Sequence, residues 1–209
     1  MAASILHDEE CDLPTERRLL LAAERLFAEH GVDAVSLRAI NVAACTNVAS
    51  LHYHYGSKGA LVAALVSARS REIHERREGR LGVLEARDAV GARDLAEAFA
   101  IPVAELAAGG ADAWVRFIAN LIGSNHPALD VVTQGFFDHG TRFRALVERL
   151  HPEWSDRTVV FRLSQAMSLT FRVLADVEAM RATLAVGGVD VGRDDLVAEL
   201  LDLLTAHLL

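Results

Sequence analysis

Between Val48 and Lys58 the sequence places hydroxyl, imidazole, phenol and ammonium groups close together, with no carboxylate among them. Hydroxyl and imidazole groups can hydrogen-bond to base edges, and an ammonium group can bind a phosphate. Ser50, His52 and Tyr53 are the candidate base contacts, whereas Val48 could touch a thymine methyl group or pack inside the protein. The pattern predicts contact with DNA.

Lys58 is the only lysine among 21 basic residues, the others being arginine. Ser57 can cap a helix that begins at Lys58, and the free N–H groups of that first turn favour an anion. A phosphate of the DNA backbone is the expected anion. The alternative is an ordinary solvated lysine.

The sequence does not predict a metal site or an enzyme. His52 and His54 would point about 200° apart on a helix, which does not suit joint binding of one metal ion. The chain has no G-x-S-x-G, H-E-x-x-H, paired C-x-x-C or phosphate-binding glycine loop. Asp138 and His139 with Thr141 could be imagined as a hydrolytic set, but adjacent side chains on a helix diverge. We therefore expect no catalytic residue, cofactor or metal.

Three helices could position the DNA-contacting side chains. Ser36 is a good N-cap for one short helix, and Asn47 can cap a second one after a turn. Before them, residues 16–30 repeat apolar positions every three and four residues and stop at Gly31, a good left-handed C-cap. Because such short helices are not stable alone, the three are expected to share one core as a helix-turn-helix.

The helix that follows Asn47 is the one expected to read DNA, and we call it the reading helix. Projected at about 100° per residue, Leu51 and Tyr55 fall on one side, and Ala49 and Tyr53 fall on the opposite side. The first pair would face the core and the second pair would face outward.

These residues resemble the N-terminal domain of the tetracycline-repressor (TetR) family of transcription regulators, over about Thr15 to Leu65. Family members commonly have glycine in the turn and tyrosine early in the reading helix, where this chain has Cys45 and His52. A positive φ at Cys45 would cost about 1 kcal/mol because of its β-carbon. The fullest match is Ser36-Leu37-Arg38-x-Ile40, then Ala43-Ala44, then Leu51-x-Tyr53-His54-Tyr55-Gly56-Ser57-Lys58-x-x-Leu61.

The resemblance implies an all-α protein with an N-terminal three-helix helix-turn-helix DNA-binding domain and a C-terminal helical domain for ligand binding and dimerisation. It also implies which side chains face DNA, although His52 means that operator sequences of relatives cannot be transferred. The residues expected to face phosphates are Ser36, Arg38, His54 and Lys58. The base-facing group would be drawn from Thr46, Asn47, Val48, Ala49, Ser50, His52 and Tyr53.

Composition suggests the domain boundaries and the compartment. The 209 residues are 52% hydrophobic, but no uninterrupted apolar run approaches the roughly 18 to 20 residues that cross a bilayer. Residues 1–14 are acidic and do not look like a signal peptide, so we expect a flexible tail, followed by a DNA-binding domain at 15–60 and a helical domain at 61–209. Cys11 and Cys45 do not suggest a disulfide, which is typical of the cytoplasm.

The net charge of −8 is unevenly distributed. Residues 15–60 hold five basic and four acidic side chains, so the excess negative charge lies outside the DNA-binding domain. An acidic remainder discourages indiscriminate attachment to nucleic acid. Specificity would then come from paired domains.

The rest of the chain predicts helices near 58–80, 92–108, 111–124, 127–150, 155–185 and 193–208, with glycine or proline at the joints. The last two are apolar around much of their circumference, so one side could face the chain's own core and another side a second copy. The alternative is that both are central core helices. The expected dimer contacts are Leu163, Met167, Leu169, Val173, Leu196, Leu200 and Leu203.

In the middle of the chain, isolated polar residues lie among aromatic ones, which is typical of a small-molecule pocket. Core packing is the alternative for the aromatic residues. Arg172 would need a carboxylate, a carbonyl or an anionic ligand if buried, but it could equally be exposed. The candidate ligand contacts are Phe99, Trp114, Phe117, Asn120, Phe136, His139 and Arg172.

The sequence thus predicts a homodimeric, ligand-responsive transcription regulator in the cytoplasm, with no membrane partner. It would be a repressor that a small-molecule effector releases from a palindromic operator in double-stranded DNA. The effector would shift the helix beginning at Lys58 and so change the spacing of two reading helices. The alternatives are a dimeric helical ligand-binding protein without sequence-specific DNA recognition, and a small helical hydrolase.

Overall fold

The computed structural model describes residues 12–124 and 129–208, apart from the side chains of Val48 and residues 129–139. This part of the chain is helical and contains no strand. The helices are α1 (Thr15–His30), α2 (Leu37–Ala43), α3 (Val48–Tyr55), α4 (Lys58–Glu85), α5 (Ala92–Leu106), α6 (Asp112–Ser124), α7 (Leu129–Leu150), α8 (Asp156–Ala175), α9 (Val177–Val186) and α10 (Arg193–His207), with a π-helical turn at Ala107–Ala111 between α5 and α6.

Helices α1 to α3 form the expected helix-turn-helix unit, and their ends are fixed by local bonds. The Ser36 hydroxyl oxygen accepts from the Ala39 N–H at 3.1 Å, which caps α2. The Asn47 side-chain oxygen accepts from the Ser50 N–H at 2.9 Å, which caps α3. The shared core is apolar and closed to solvent; its members include Leu19, Phe27, Ile40 and Leu51.

In the larger helical domain, two connections between helices differ from the sequence prediction. The predicted helix 155–185 is wrong, because Asp176 has φ −142° and ψ 56° and separates α8 from α9. At Gly109 and Gly110 the chain does not form an ordinary loop. Gly110, at φ 94°, instead kinks a nearly continuous helical run from α5 into α6.

Helix α6 lies at the centre of the molecule, packed against α1 on one side and α8 on the other. The Trp114 side chain is fully buried, and its indole N–H donates to the Leu65 carbonyl of α4 at 3.1 Å. Its ring meets the edge of Phe171 of α8, with centroids 5.9 Å apart. Helix α6 therefore contacts both the DNA-binding domain formed by α1 to α3, which we call the reading domain, and the helices that follow.

The helical run Ala92–Ser124 is long and apolar enough to pass a simple test for a membrane-spanning helix. In this fold 61% of its most apolar window is buried against other helices. That packing is what a core helix requires, since its apolar side chains are already removed from water.

Candidate nucleic-acid interface

The reading helix α3 separates its two faces as predicted. Leu51 is fully buried and Tyr55 half-buried on the side facing α1. On the other side Ala49 and His52 are exposed, and Tyr53 has 86% of its surface open to solvent. The face that projects from the domain is thus small, aromatic and free of negative charge, which suits entry into a major groove.

The turn before α3 keeps a left-handed residue although it has no glycine. Cys45 adopts φ 53°. The turn is closed by the Thr46 N–H, which donates to the Asn41 carbonyl at 2.9 Å. The Arg18 guanidinium of α1 donates to the Cys45 carbonyl at 3.3 Å. These bonds hold the start of the reading helix against α1.

The far end of the reading helix is tied to α1 through a phenol. The Tyr55 hydroxyl donates to the Glu16 carbonyl at 3.3 Å. Burial of the phenol, followed by the charge of the Glu16 carboxylate, raises the pKa of Tyr55 to about 12. The phenol therefore stays neutral and able to donate throughout the physiological range.

His52 is exposed but its ring is held by a local bond. Its Nδ1 atom lies 3.0 Å from the carbonyl oxygen of Gly56, the residue that ends α3 at φ 70°. The Gly56 N–H in turn donates to the His52 carbonyl at 3.0 Å. The imidazole is thus fixed along the C-terminal end of the reading helix.

The residues expected to face phosphates lie at the N-terminal ends of α2 and α4 and on α3. Ser36 and Arg38 are exposed at the start of α2, and His54 is exposed on α3. Lys58 is half-buried, and its Nζ atom donates to the Asp33 carbonyl at 3.3 Å. The lysine therefore also links the start of α4 to the loop after α1.

Besides His52, the predicted base contacts Thr46, Asn47 and Ser50 have other bonds in this structure. The Thr46 hydroxyl is half-buried and donates to the Asn41 side-chain oxygen at 2.9 Å. The Asn47 oxygen is occupied by the N–H and the hydroxyl of Ser50. Thr46 therefore supports the turn, and Asn47 and Ser50 support the start of α3. The side chain of Val48 lies outside the described residues.

Of the seven candidate ligand contacts, three line one cleft. Phe117, Asn120 and Arg172 surround an open cleft of about 590 Å³ between α6 and the loop after α1. Arg172 is exposed and also lines this cleft. Phe99 and Trp114 are buried elsewhere in the core. The side chains of Phe136 and His139 lie outside the described residues.

The expected dimer contacts also fall into two groups, one on an open groove or half-buried and one buried in the core. Leu203 is 53% exposed and, with Leu169, lines an open groove of about 780 Å³ along α6, α8 and α10. Leu163, Met167 and Val173 are half-buried. Leu196 and Leu200 do not belong to an outward face, because both are buried in the core of the single chain, where α10 packs on α5. Phe161, 60% exposed on the same groove, was missed.

The sequence reasoning also missed a buried cation. Arg77 of α4 is 1% exposed, and its Nη2 donates to the Phe99 carbonyl at 2.7 Å. Its guanidinium lies over the rings of Phe99 and Phe143, at 4.8 and 5.6 Å from their centroids. Burial lowers the pKa of Arg77 to about 9, which leaves it charged at neutral pH. The apolar neighbours Ile73 and Leu81 at helical spacing were its only sequence signal.

The fold and the exposed reading helix define an all-α helix-turn-helix transcription regulator. Residues 19–65 match the family model for bacterial regulatory proteins of the tetR family, and residues 97–206 match the model for the tetracyclin repressor-like C-terminal domain. The chain belongs to the TetR family of ligand-responsive, DNA-binding regulators, a family of regulators and not of enzymes.

Solved structures share this fold over nearly the whole chain. The fatty acid degradation regulator FadR from Bacillus halodurans aligns with a TM-score of 0.63 at 13% identity, covering 93% of this chain and 96% of that one. The TetR family regulator PfmR from Thermus thermophilus aligns at 0.61 with 18% identity, covering 92% and 96%. Salmonella enterica GusR aligns at 0.53 with 24% identity, covering 94% and 96%. At these identities the likeness shows the fold alone. No curated protein matches the chain.

Proposed function

We propose that this regulator is a homodimeric repressor that acts in the cytoplasm and leaves a palindromic operator when a small-molecule effector binds its helical domain. The observation that supports DNA reading most directly is the capped helix α3, which presents Ala49, His52 and Tyr53 outward with Leu51 buried beneath. Ser36, Arg38, His54 and Lys58 flank this face and would contact phosphates. Such contacts fix the register of the protein on DNA, and the outward face supplies the base contacts.

A second copy of the chain would cover the groove along α8 and α10. Phe161 and Leu203 are more than half exposed there on adjacent helices. Large apolar side chains that share one open surface favour association. A two-fold axis through this face would pair the reading helices, and a palindromic operator has the same symmetry.

The effector would act through α6, which contacts both α1 and α4. Asn120 donates to the Ala28 carbonyl of α1 at 3.1 Å, and Trp114 donates to the Leu65 carbonyl of α4 at 3.1 Å. Phe117 of α6 also stacks on Phe27 of α1, with centroids 5.7 Å apart. A ligand that favours another position of α6 would move α1 and α4 together. Only a difference in its affinity for the two arrangements can drive this shift.

The test of DNA reading is selection of duplexes from a random pool by the full-length protein at low salt. We expect an inverted repeat whose half-sites are centred roughly 34 to 36 Å apart, or a further whole number of helical turns apart. Lys58→Ala should weaken binding to every duplex, whereas Tyr53→Ala should change which duplexes are enriched. Failure to enrich any sequence would contradict the proposal and favour a dimeric ligand-binding protein.

The test of dimerisation is the mass in solution, which should be twice the 22.6 kDa of one chain. The double variant Phe161→Glu, Leu203→Glu places charge on the groove and should be monomeric at micromolar concentration. Val186→Glu is the matched control, because Val186 is 91% exposed on α9 and away from the groove. A double variant that stays dimeric would show that another surface is used.

A further inference from the structure

The bond between His52 and Gly56 fixes which ring nitrogen carries the proton. A carbonyl oxygen only accepts hydrogen bonds, so the Nδ1 atom 3.0 Å from the Gly56 oxygen must carry a hydrogen. In a neutral imidazole the other nitrogen then has none, and Nε2 presents a lone pair. That atom lies on the opposite edge of the ring from the bonded carbonyl. The exposed His52 side chain therefore offers solvent, or a ligand, an acceptor.

We propose that His52 is a specificity-determining residue that accepts a hydrogen bond at Nε2 from an exocyclic amino group in the major groove. This inference rests on the proposed DNA reading by α3. Adenine N6 and cytosine N4 are the amino donors that the major groove displays, whereas guanine and thymine present acceptors at the corresponding positions. His52 would therefore select adenine or cytosine at one position of each half-site and disfavour guanine or thymine there.

The acceptor role also distinguishes His52 from a phosphate contact. A phosphate oxygen needs a donor, and the single N–H of the neutral ring already donates to the Gly56 carbonyl. The pair of bonds that joins His52 and Gly56 in both directions limits rotation of the ring. A side chain that is already ordered loses less conformational freedom when it binds. Local fixation of the imidazole thus supports base reading by this residue.

The first test reads the tautomer in the protein without DNA. Long-range ¹H–¹⁵N correlation spectra of the His52 imidazole, recorded in slightly alkaline buffer, should show a protonated Nδ1 and an unprotonated Nε2. A protonated Nε2 with a bare Nδ1 would overturn the inference. This measurement does not depend on whether the protein binds DNA, so it separates the failure of this inference from the failure of the proposed function.

The second test compares duplex selection by wild type, His52→Phe and the control Val186→Ala, a substitution at an exposed position of α9 outside the reading helix. His52→Phe should lose the adenine or cytosine preference at one position per half-site and keep the others. Replacing the selected adenine by purine, or the selected cytosine by 2-pyrimidinone, removes the amino group. That replacement should weaken wild-type binding about threefold to tenfold and leave His52→Phe unaffected. Retention of every base preference by His52→Phe, with an equal loss on all sequences, would overturn the inference and indicate a phosphate contact.

Discussion

Asn120 of α6 donates a hydrogen bond from Nδ2 to the carbonyl oxygen of Ala28 in the last turn of α1, across 3.1 Å. The carbonyls of a last helical turn have no partner within their own helix. Helix α6 supplies that partner 92 positions further along the chain. The two domains therefore meet through a bond that neither could form alone.

Asn120→Ala should loosen this junction. Loss of one hydrogen bond is expected to lower the free energy of unfolding by about 1 kcal/mol. Amide hydrogens in the last turn of α1 and at Gly31 should exchange faster, and affinity for a selected duplex should fall because the reading domain is held less firmly. Ser124→Ala is the matched control, since its hydroxyl bonds only within α6. Equal exchange rates in the two variants would show that the bond does not hold α1.

Tyr55→Phe removes the hydroxyl that joins the reading helix to the Glu16 carbonyl. Burial raises the pKa of Tyr55 to about 12, above its ordinary value of 10.0. As pH rises from 10 towards 12, the unfolded phenol loses its proton before the folded one does, so the folded state binds more protons and is progressively destabilised. Wild type should therefore lose more unfolding free energy than Tyr55→Phe between pH 10 and pH 12.

Urea unfolding of both proteins at pH 8, 10 and 12 measures this difference. Below pH 10 the gap between the two unfolding free energies should be constant and reflect only the lost hydrogen bond. A gap that stays constant through pH 12 would mean that the Tyr55 phenol titrates alike in the folded and unfolded states.

The reading domain could be predicted from sequence because its determinants are local. Ser36 and Asn47 cap their helices by bonding N–H groups only three residues away. Apolar spacing alone places Leu51 inward. The helical domain was harder to predict, because its structure depends on contacts between residues far apart in the sequence. The helix predicted near 58–80 ended too early, because tertiary packing carries α4 to Glu85.

Two arginines show the same limit in predicting which side chains are buried. Arg172 has apolar sequence neighbours but is exposed. Arg77 follows Arg76 in a charged stretch but is buried, because Phe99 and Phe143 cover it from other helices. Periodicity shows which face of a helix is apolar, but not which long side chain another helix covers. Whether such a side chain is buried depends on the helix that packs against it, and the sequence pattern does not identify that helix.

Cys45→Gly should stabilise the protein. Cys45 adopts φ 53°, where a β-carbon clashes with the backbone and glycine does not. After the greater entropy loss of glycine on folding is subtracted from the strain of about 1 kcal/mol, the unfolding free energy should rise by up to about 0.5 kcal/mol. Thr46→Gly is the neighbouring control and should be destabilising, because it removes the hydroxyl bond to Asn41. Urea unfolding measures both variants, and a less stable Cys45→Gly would contradict the strain at this turn.

Arg77→Ala should destabilise the helical domain strongly. The guanidinium fills space against Phe99 and Phe143 and donates to a backbone carbonyl inside the core. Truncation leaves a cavity and removes a charge-assisted hydrogen bond, which together should lower the unfolding free energy by about 3 kcal/mol. Arg76→Ala provides the control, because Arg76 is exposed one position earlier on the same helix and should change stability by less than about 0.5 kcal/mol. Similar losses in the two variants, measured by urea unfolding at pH 7, would show that burial of Arg77 does not stabilise the packing of α4 on α5 and α7.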